Sequence, residues 1–94
     1  MNKKTYETEI KKIVEISKEY GAEKIILFGS CLKDIKSAND IDIAVAGVKP
    51  ERFFEMYGKI LSEIFTDMDL IPLEYAREHL SKRIFEHGKL LYAK

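Results

Sequence analysis

One cysteine, three arginines and no surplus of either charge are what this 94-residue chain has least of. The lone Cys31 leaves no partner for an internal disulfide and too few thiols for a Cys-rich zinc site, which fits a reducing compartment. Sixteen Lys plus Arg stand against sixteen Asp plus Glu, so the formal charge is zero. A protein that grips duplex DNA or RNA unaided needs a basic face, and base reading favours the Arg fork, so direct nucleic-acid binding is not expected. Long hydrophobic runs are missing as well. Met1 to Lys12 alternates charges with single apolar residues, which predicts neither a signal peptide nor a membrane span, and a cytoplasmic location. There is no repeat, linker or low-complexity tract. A chain of this size forms one domain that buries somewhat over about 60% of its unfolded surface. Residues 1–94 are therefore expected to be a single domain, with no room for a second one to hold a substrate.

The apolar residues that are present fall into a legible order. Tyr6, Ile10, Ile13, Val14, Ser17 and Tyr20 recur at helical spacing, and Gly21 reads as the C′ stop. Lys24 to Phe28 is a short, β-branched run ended by Gly29, the pattern of a buried strand. Ser30 to Asn39 is mixed and polar and is predicted to open with a short helix. Ile41 to Val45 reads as a second strand, stopped by Gly47. Lys49-Pro50-Glu51 carries the chemistry of a helix start, with Pro near N1 and an acid in the first turn. Phe53, Tyr57, Ile60, Leu61 and Ile64 then form its buried stripe. Phe54, Met56 and Phe65 exceed what that stripe needs, and serve either as extra core or as a partner-binding patch. The core reading is preferred because a domain this small needs its apolar residues inside. Met68 to Ile71, closed by Pro72, is a third strand. A last helix is predicted from about Glu74 to His87, with Gly88 as its stop and Leu90-Leu91-Tyr92 as an apolar tail. The order is α-β-α-β-α-β-α, one small α/β domain around a sheet.

Four of the five aspartates fall in two D-x-D pairs, Asp40/Asp42 and Asp67/Asp69. Strand side chains alternate, so Asp40 and Asp42 point to one face. Like charges that close need a counter-charge, and ligands that offer only oxygen suit Mg²⁺. A D-x-D alone is more often a turn followed by an exposed strand residue. Gly29-Ser30 adds backbone N–H groups and a hydroxyl at the end of a buried strand, where an anion could be cradled. It is neither a Walker A loop nor a dinucleotide fingerprint. Asp67 reads as a loop residue capping the end of the preceding helix. His79 and His87 lack ligand-spaced partners and read as solvated or packing residues, and Cys31 as an inert thiol.

The chain order constrains how these features meet. Gly29-Ser30 ends the first strand and Asp40 begins the second, so both reach one phosphate only if the two strands are antiparallel. Asp69 lies near the start of its strand, so it joins Asp40 and Asp42 only if strands two and three are parallel, with residues 50–66 as the crossover. A mixed three-stranded sheet then gathers Gly-Ser and three carboxylates at one edge. That describes a metal-bridged phosphoryl or nucleotidyl transfer site.

Leu27-Phe28-Gly29-Ser30, Asn39-Asp40-Ile41-Asp42-Ile43-Ala44-Val45 and Met68-Asp69-Leu70-Ile71 together resemble the motif set of the polymerase-β-like nucleotidyltransferases. The similarity is closest to the small MNT (minimal nucleotidyltransferase) group. It runs from about Ile10 to Tyr92 and includes the closing Ile84 to Tyr92. The resemblance implies that Gly29 and Ser30 hold the terminal phosphates of a nucleoside triphosphate, with ATP as the donor. It implies that Asp40 and Asp42 bind two Mg²⁺ ions, and that Asp69 completes the first metal site and helps deprotonate the acceptor. The family often carries an Arg-rich turn after Gly-Ser. Here Cys31-Leu32-Lys33-Asp34 stands in its place, and Lys33 offers phosphate a point charge rather than a fork. Asn39 replaces a frequent Ser. MNT proteins are often paired with a separate helical HEPN protein as the antitoxin of a toxin–antitoxin pair, and some add AMP to a tyrosine of that partner. The implied activity is Mg²⁺-dependent transfer of AMP from ATP to a hydroxyl of a partner protein or a small molecule. The alternative, which the altered turn after Ser30 keeps open, is a non-catalytic subunit that neutralises its partner by contact.

Overall fold

The structure is a computed structural model describing residues 3–29 and 40–94. Helix α1 (Lys3–Glu19) ends in a Schellman motif. The Ala22 N–H donates to the Ser17 carbonyl and the Gly21 N–H to the Lys18 carbonyl, both at 3.0 Å. Gly21 takes φ +92°, which glycine reaches at little cost. Strand β1 (Lys24–Phe28) follows and strand β2 (Asp40–Ala46) comes after it. The short helix expected at Ser30 lies outside the described residues. Helix α2 (Pro50–Glu63) begins as its sequence demands, with extended Lys49 at the N-cap, Pro50 in the first turn and Glu51 behind it. The Lys12 ammonium donates to the Glu63 carbonyl at 3.2 Å, placing a cation at the negative end of α2 and tying it to α1.

Strand β3 (Asp67–Pro72) leads into one 3-10 turn (Leu73–Tyr75), helix α3 (Glu78–His87) and strand β4 (Lys89–Ala93). The sheet is mixed, in the order β3-β2-β1-β4. As expected, β1 and β2 are antiparallel and β2 and β3 parallel, with α2 as the crossover. The strand count is four rather than three, because Leu90-Leu91-Tyr92 is not a tail but part of β4, antiparallel to β1. The N–H and C=O groups on the far side of β1 need partners, and the chain end supplies them. The last helix also starts later than expected. Residues Leu73–Tyr75 form the 3-10 turn, and the Glu74 carboxylate accepts a 2.6 Å hydrogen bond from the Gly47 N–H instead of entering α3.

The strands alternate, so they split the apolar residues between two layers. Ile25, Leu27, Ile41, Ile43, Val45, Met68 and Leu70 pack beneath α1 and α2, meeting Ile13, Ile16, Phe53, Met56 and Ile60. The opposite face holds a much smaller cluster of Ile26, Ala44, Leu73 and Ile84. Each fully buried Ile or Leu contributes about 1.5–3 kcal/mol, so the α1–α2 face dominates stability. The buried stripe of α2 is narrower than expected. Met56 joins the core, but Leu61, Phe54 and Phe65 are 50%, 80% and 95% exposed. Once Phe53, Met56 and Ile60 fill the contact, Leu61 is rotated off it by one residue, and Phe65 falls beyond the helix end. Among the described residues no helix is long and apolar enough to cross a membrane.

Candidate active site

Asp40 and Asp42 alternate with buried Ile41 and Ile43, and Asp69 sits between buried Met68 and Leu70. The core residues fix which way the acids face. In the parallel pairing Asp42 lies opposite Asp69, and Asp40 lies opposite Asp67. All four aspartates therefore share the sheet face away from α1 and α2. Asp67 is the exposed first residue of β3, not a loop residue capping α2, whose end is closed by Ile64.

Asp42 and Asp69 face each other across the ladder, so that their carboxyls can share a hydrogen bond when one of them is protonated. Burial foremost, then the charges of Asp69 and Asp40, and then that bond push the Asp42 carboxyl above its ordinary value of 3.8. Phe28 pairs with Asp42 across the antiparallel ladder, which brings Gly29 up against the same carboxylate. A Cβ on Gly29 would run into the Oδ2, Cγ and Cβ atoms of Asp42, and Gly29 takes φ +83°. Both facts require glycine here. The structure thus gathers Gly29, Asp40, Asp42 and Asp69 at one edge. Ser30, Lys33 and Cys31 lie outside the described residues. Among the described residues no three His, Cys, Asp or Glu side chains are already set as a metal cage. The donor chemistry nevertheless fits a hard divalent cation: carboxylate oxygens only, with burial first and mutual repulsion second raising the affinity of one of them for a proton.

Two side chains that the motif reading passed over hold the strand bearing Asp69. Glu9 is 2% exposed. Its Oε1 accepts hydrogen bonds from the Phe65 N–H (2.7 Å), the Thr66 N–H (3.0 Å) and the Thr66 hydroxyl (3.2 Å). The Tyr57 hydroxyl donates to the Met68 carbonyl at 3.1 Å. The available signal was a Glu on the apolar stripe of α1, four residues before fully buried Ile13. The groove between α1 and α2, about 430 Å³ and lined by Lys11, Lys12, Glu15, Glu19, Lys59 and Glu63, is of mixed charge and lies on the helical side of the sheet, away from the acids.

The model of the polymerase beta, nucleotidyltransferase family matches residues 11–94. The chain belongs to that family. Its fold is similar to a chain of a toxin–antitoxin complex solved with AMP-PNP, at 29% identity and a TM-score of 0.74 over 89% of this chain and 73% of that one. A second similar structure is the MntA–HepT toxin–antitoxin complex, at 26% identity and a TM-score of 0.71 over 94% and 73%. A third contains a tri-AMPylated Shewanella oneidensis HEPN toxin with its MNT antitoxin, at 27% identity and a TM-score of 0.72 over 94% and 72%. The resemblance to the MNT group agrees with these neighbours. No curated protein matches the chain at a significant level.

Proposed function

We propose that residues 1–94 form one MNT-type nucleotidyltransferase domain that moves AMP from ATP to a hydroxyl of a partner protein or small molecule, as the antitoxin of an MNT/HEPN pair. The observation that carries this reading is the Asp42–Asp69 pair set against Gly29, with Asp40 beside it, in a chain of this family. Neighbours solved with AMP-PNP and with an AMPylated HEPN toxin support the donor and the partner. Asp40 and Asp42 would hold two Mg²⁺ ions, with Asp69 completing the first site. Bound there, Mg²⁺ supplies neutralisation of charge on the attacking and leaving oxygens.

The residues of the chain divide the remaining work. Gly29 brings its bare backbone close to Asp42, and with Ser30 and Lys33 it holds the terminal phosphates. Asp69 takes the acceptor's hydroxyl proton. The acceptor oxygen bonds to the α-phosphorus, the bond from that phosphorus to the bridging oxygen breaks, and pyrophosphate leaves with the electron pair. α-Labelled ATP incubated with Mg²⁺, the full chain and its co-purified partner tests this. Label is expected on the partner or a small molecule, and Asp42→Asn should remove it. An unlabelled reaction, or labelling indifferent to Asp42→Asn, rejects the enzyme. Exposed Phe54, Leu61 and Phe65 favour a second reading, a subunit that neutralises by contact. Neutralisation without any label would select it.

A further inference from the structure

Among the described residues β3 is an edge strand, with β2 on one side and no strand on the other. Asp69 must nevertheless stay opposite Asp42, and among the described residues the ladder to β2 is the one strand pairing that holds it. The segment entering β3 is also short of regular partners, since α2 closes at Ile64 and the strand begins at Asp67. The N–H groups of Phe65 and Thr66 fall in this gap. Both are taken by one carboxylate oxygen of Glu9, reaching from α1 across 56 and 57 residues of sequence. The Met68 carbonyl, one residue before Asp69, accepts from the Tyr57 hydroxyl of α2.

A carboxylate is a costly group to bury. A core position of α1 would be served better by Leu if packing were the only demand. Glu9 is instead spent on two backbone donors and a hydroxyl, all in the two residues before Asp67. We infer that Glu9 and Tyr57 are positioning residues, a clamp from the two helices that sets Asp69 against Asp42 and so aligns the transfer site. The inference rests on the nucleotidyl-transfer reading above. Neither residue touches the reacting atoms.

The test compares Glu9→Ala, Glu9→Gln and Tyr57→Phe in the full chain, at a temperature where circular dichroism shows every variant folded. Glu9→Gln keeps an oxygen acceptor at the same reach, and Tyr57→Phe removes one hydroxyl while leaving the ring against Phe53. For AMP transfer, Glu9→Ala is expected to lower kcat by about 10- to 100-fold, the scale of a misplacement near 1 Å, with the KM for ATP within about twofold. Glu9→Gln should restore most of that loss, and Tyr57→Phe should cost severalfold. Hydrogen exchange should quicken at the Phe65 and Thr66 amides in Glu9→Ala, while β1 and β2 stay protected. In the same variant the Asp42 and Asp69 carboxyl carbon resonances should move apart from their wild-type positions. A lower melting temperature with kcat unchanged reduces Glu9 to a structural residue and overturns the inference. If the wild type transfers nothing, the proposed function falls. Carboxyl resonances unchanged in Glu9→Ala then overturn the clamp as well, and shifted ones sustain it.

Discussion

On the face covered by α1 and α2, strand β2 presents Ile41, Ile43 and Val45, each at most 1% exposed, whereas the other face of the same strand presents Asp40, Asp42 and Ala44. One face is a packed apolar layer and the other carries crowded carboxylates over a small cluster. The contrast shows how so short a chain makes room for a charged site. It concentrates burial on one side of a sheet, and strand alternation then delivers the acids to the opposite side at no further cost in fold.

Changes to the two faces should separate stability from chemistry. The largest effect on stability is expected from Ile43→Ala, which removes a fully buried side chain under two helices. It should cost about 2–5 kcal/mol in urea unfolding. Gly29→Ala comes next, at about 1–2 kcal/mol from the left-handed backbone alone. Its added methyl meets Asp42, so thermal stabilisation by Mg²⁺ and ATP should fall along with stability itself.

Asp42→Asn should act in the opposite direction. The folded state raises the Asp42 pKa, so it holds that proton more tightly than the unfolded chain. The stability Asp42 contributes is therefore greatest below its ordinary value of 3.8 and is lost as pH rises through the elevated folded value. In EDTA at neutral pH, Asp42→Asn should melt higher than the wild type, with a flatter pH profile across the acid range. Mg²⁺ with ATP should stabilise the wild type more than this variant, and equal shifts would count against the site. The smallest effect on folding is expected from Phe65→Ser, within about 0.5 kcal/mol at a 95% exposed position. A loss of partner affinity in a pull-down from this variant would mark Phe65 as part of a contact surface.

The parts legible in the sequence are those fixed by alternation and chain order. If D-x-D, the Gly at a strand end and Asp69 are to meet at one site, chain order demands antiparallel β1/β2 and parallel β2/β3, with residues 50–66 as the crossover, and that is the sheet observed. The parts that escaped depend on contacts distant in sequence. Leu90-Leu91-Tyr92 carries little alternation of its own and becomes a strand because β1 offers an open edge. Glu74 reads as a helix residue until Gly47, 27 residues away, claims its carboxylate. Helical spacing places Leu61 inward and the small size of the domain favours Phe54 and Phe65 as core, although the width of the α2 contact decides which side chains fit. Glu9 belongs to no motif, because its partners lie 56 and 57 residues away.

The β2–β3 ladder has one more consequence. Ile41 faces Met68 and Asp42 faces Asp69 in a strict two-residue rhythm. A slip of one residue would turn Met68 and Leu70 out to water and drive Asp69 into the apolar layer beneath α2. The alignment that makes the acidic edge is thus the same alignment that makes the core, and a wrongly zipped molecule is penalised on both faces at once. The ladder works as an interlock: a chain that has closed its hydrophobic layer has, by that act, already brought its aspartates into line.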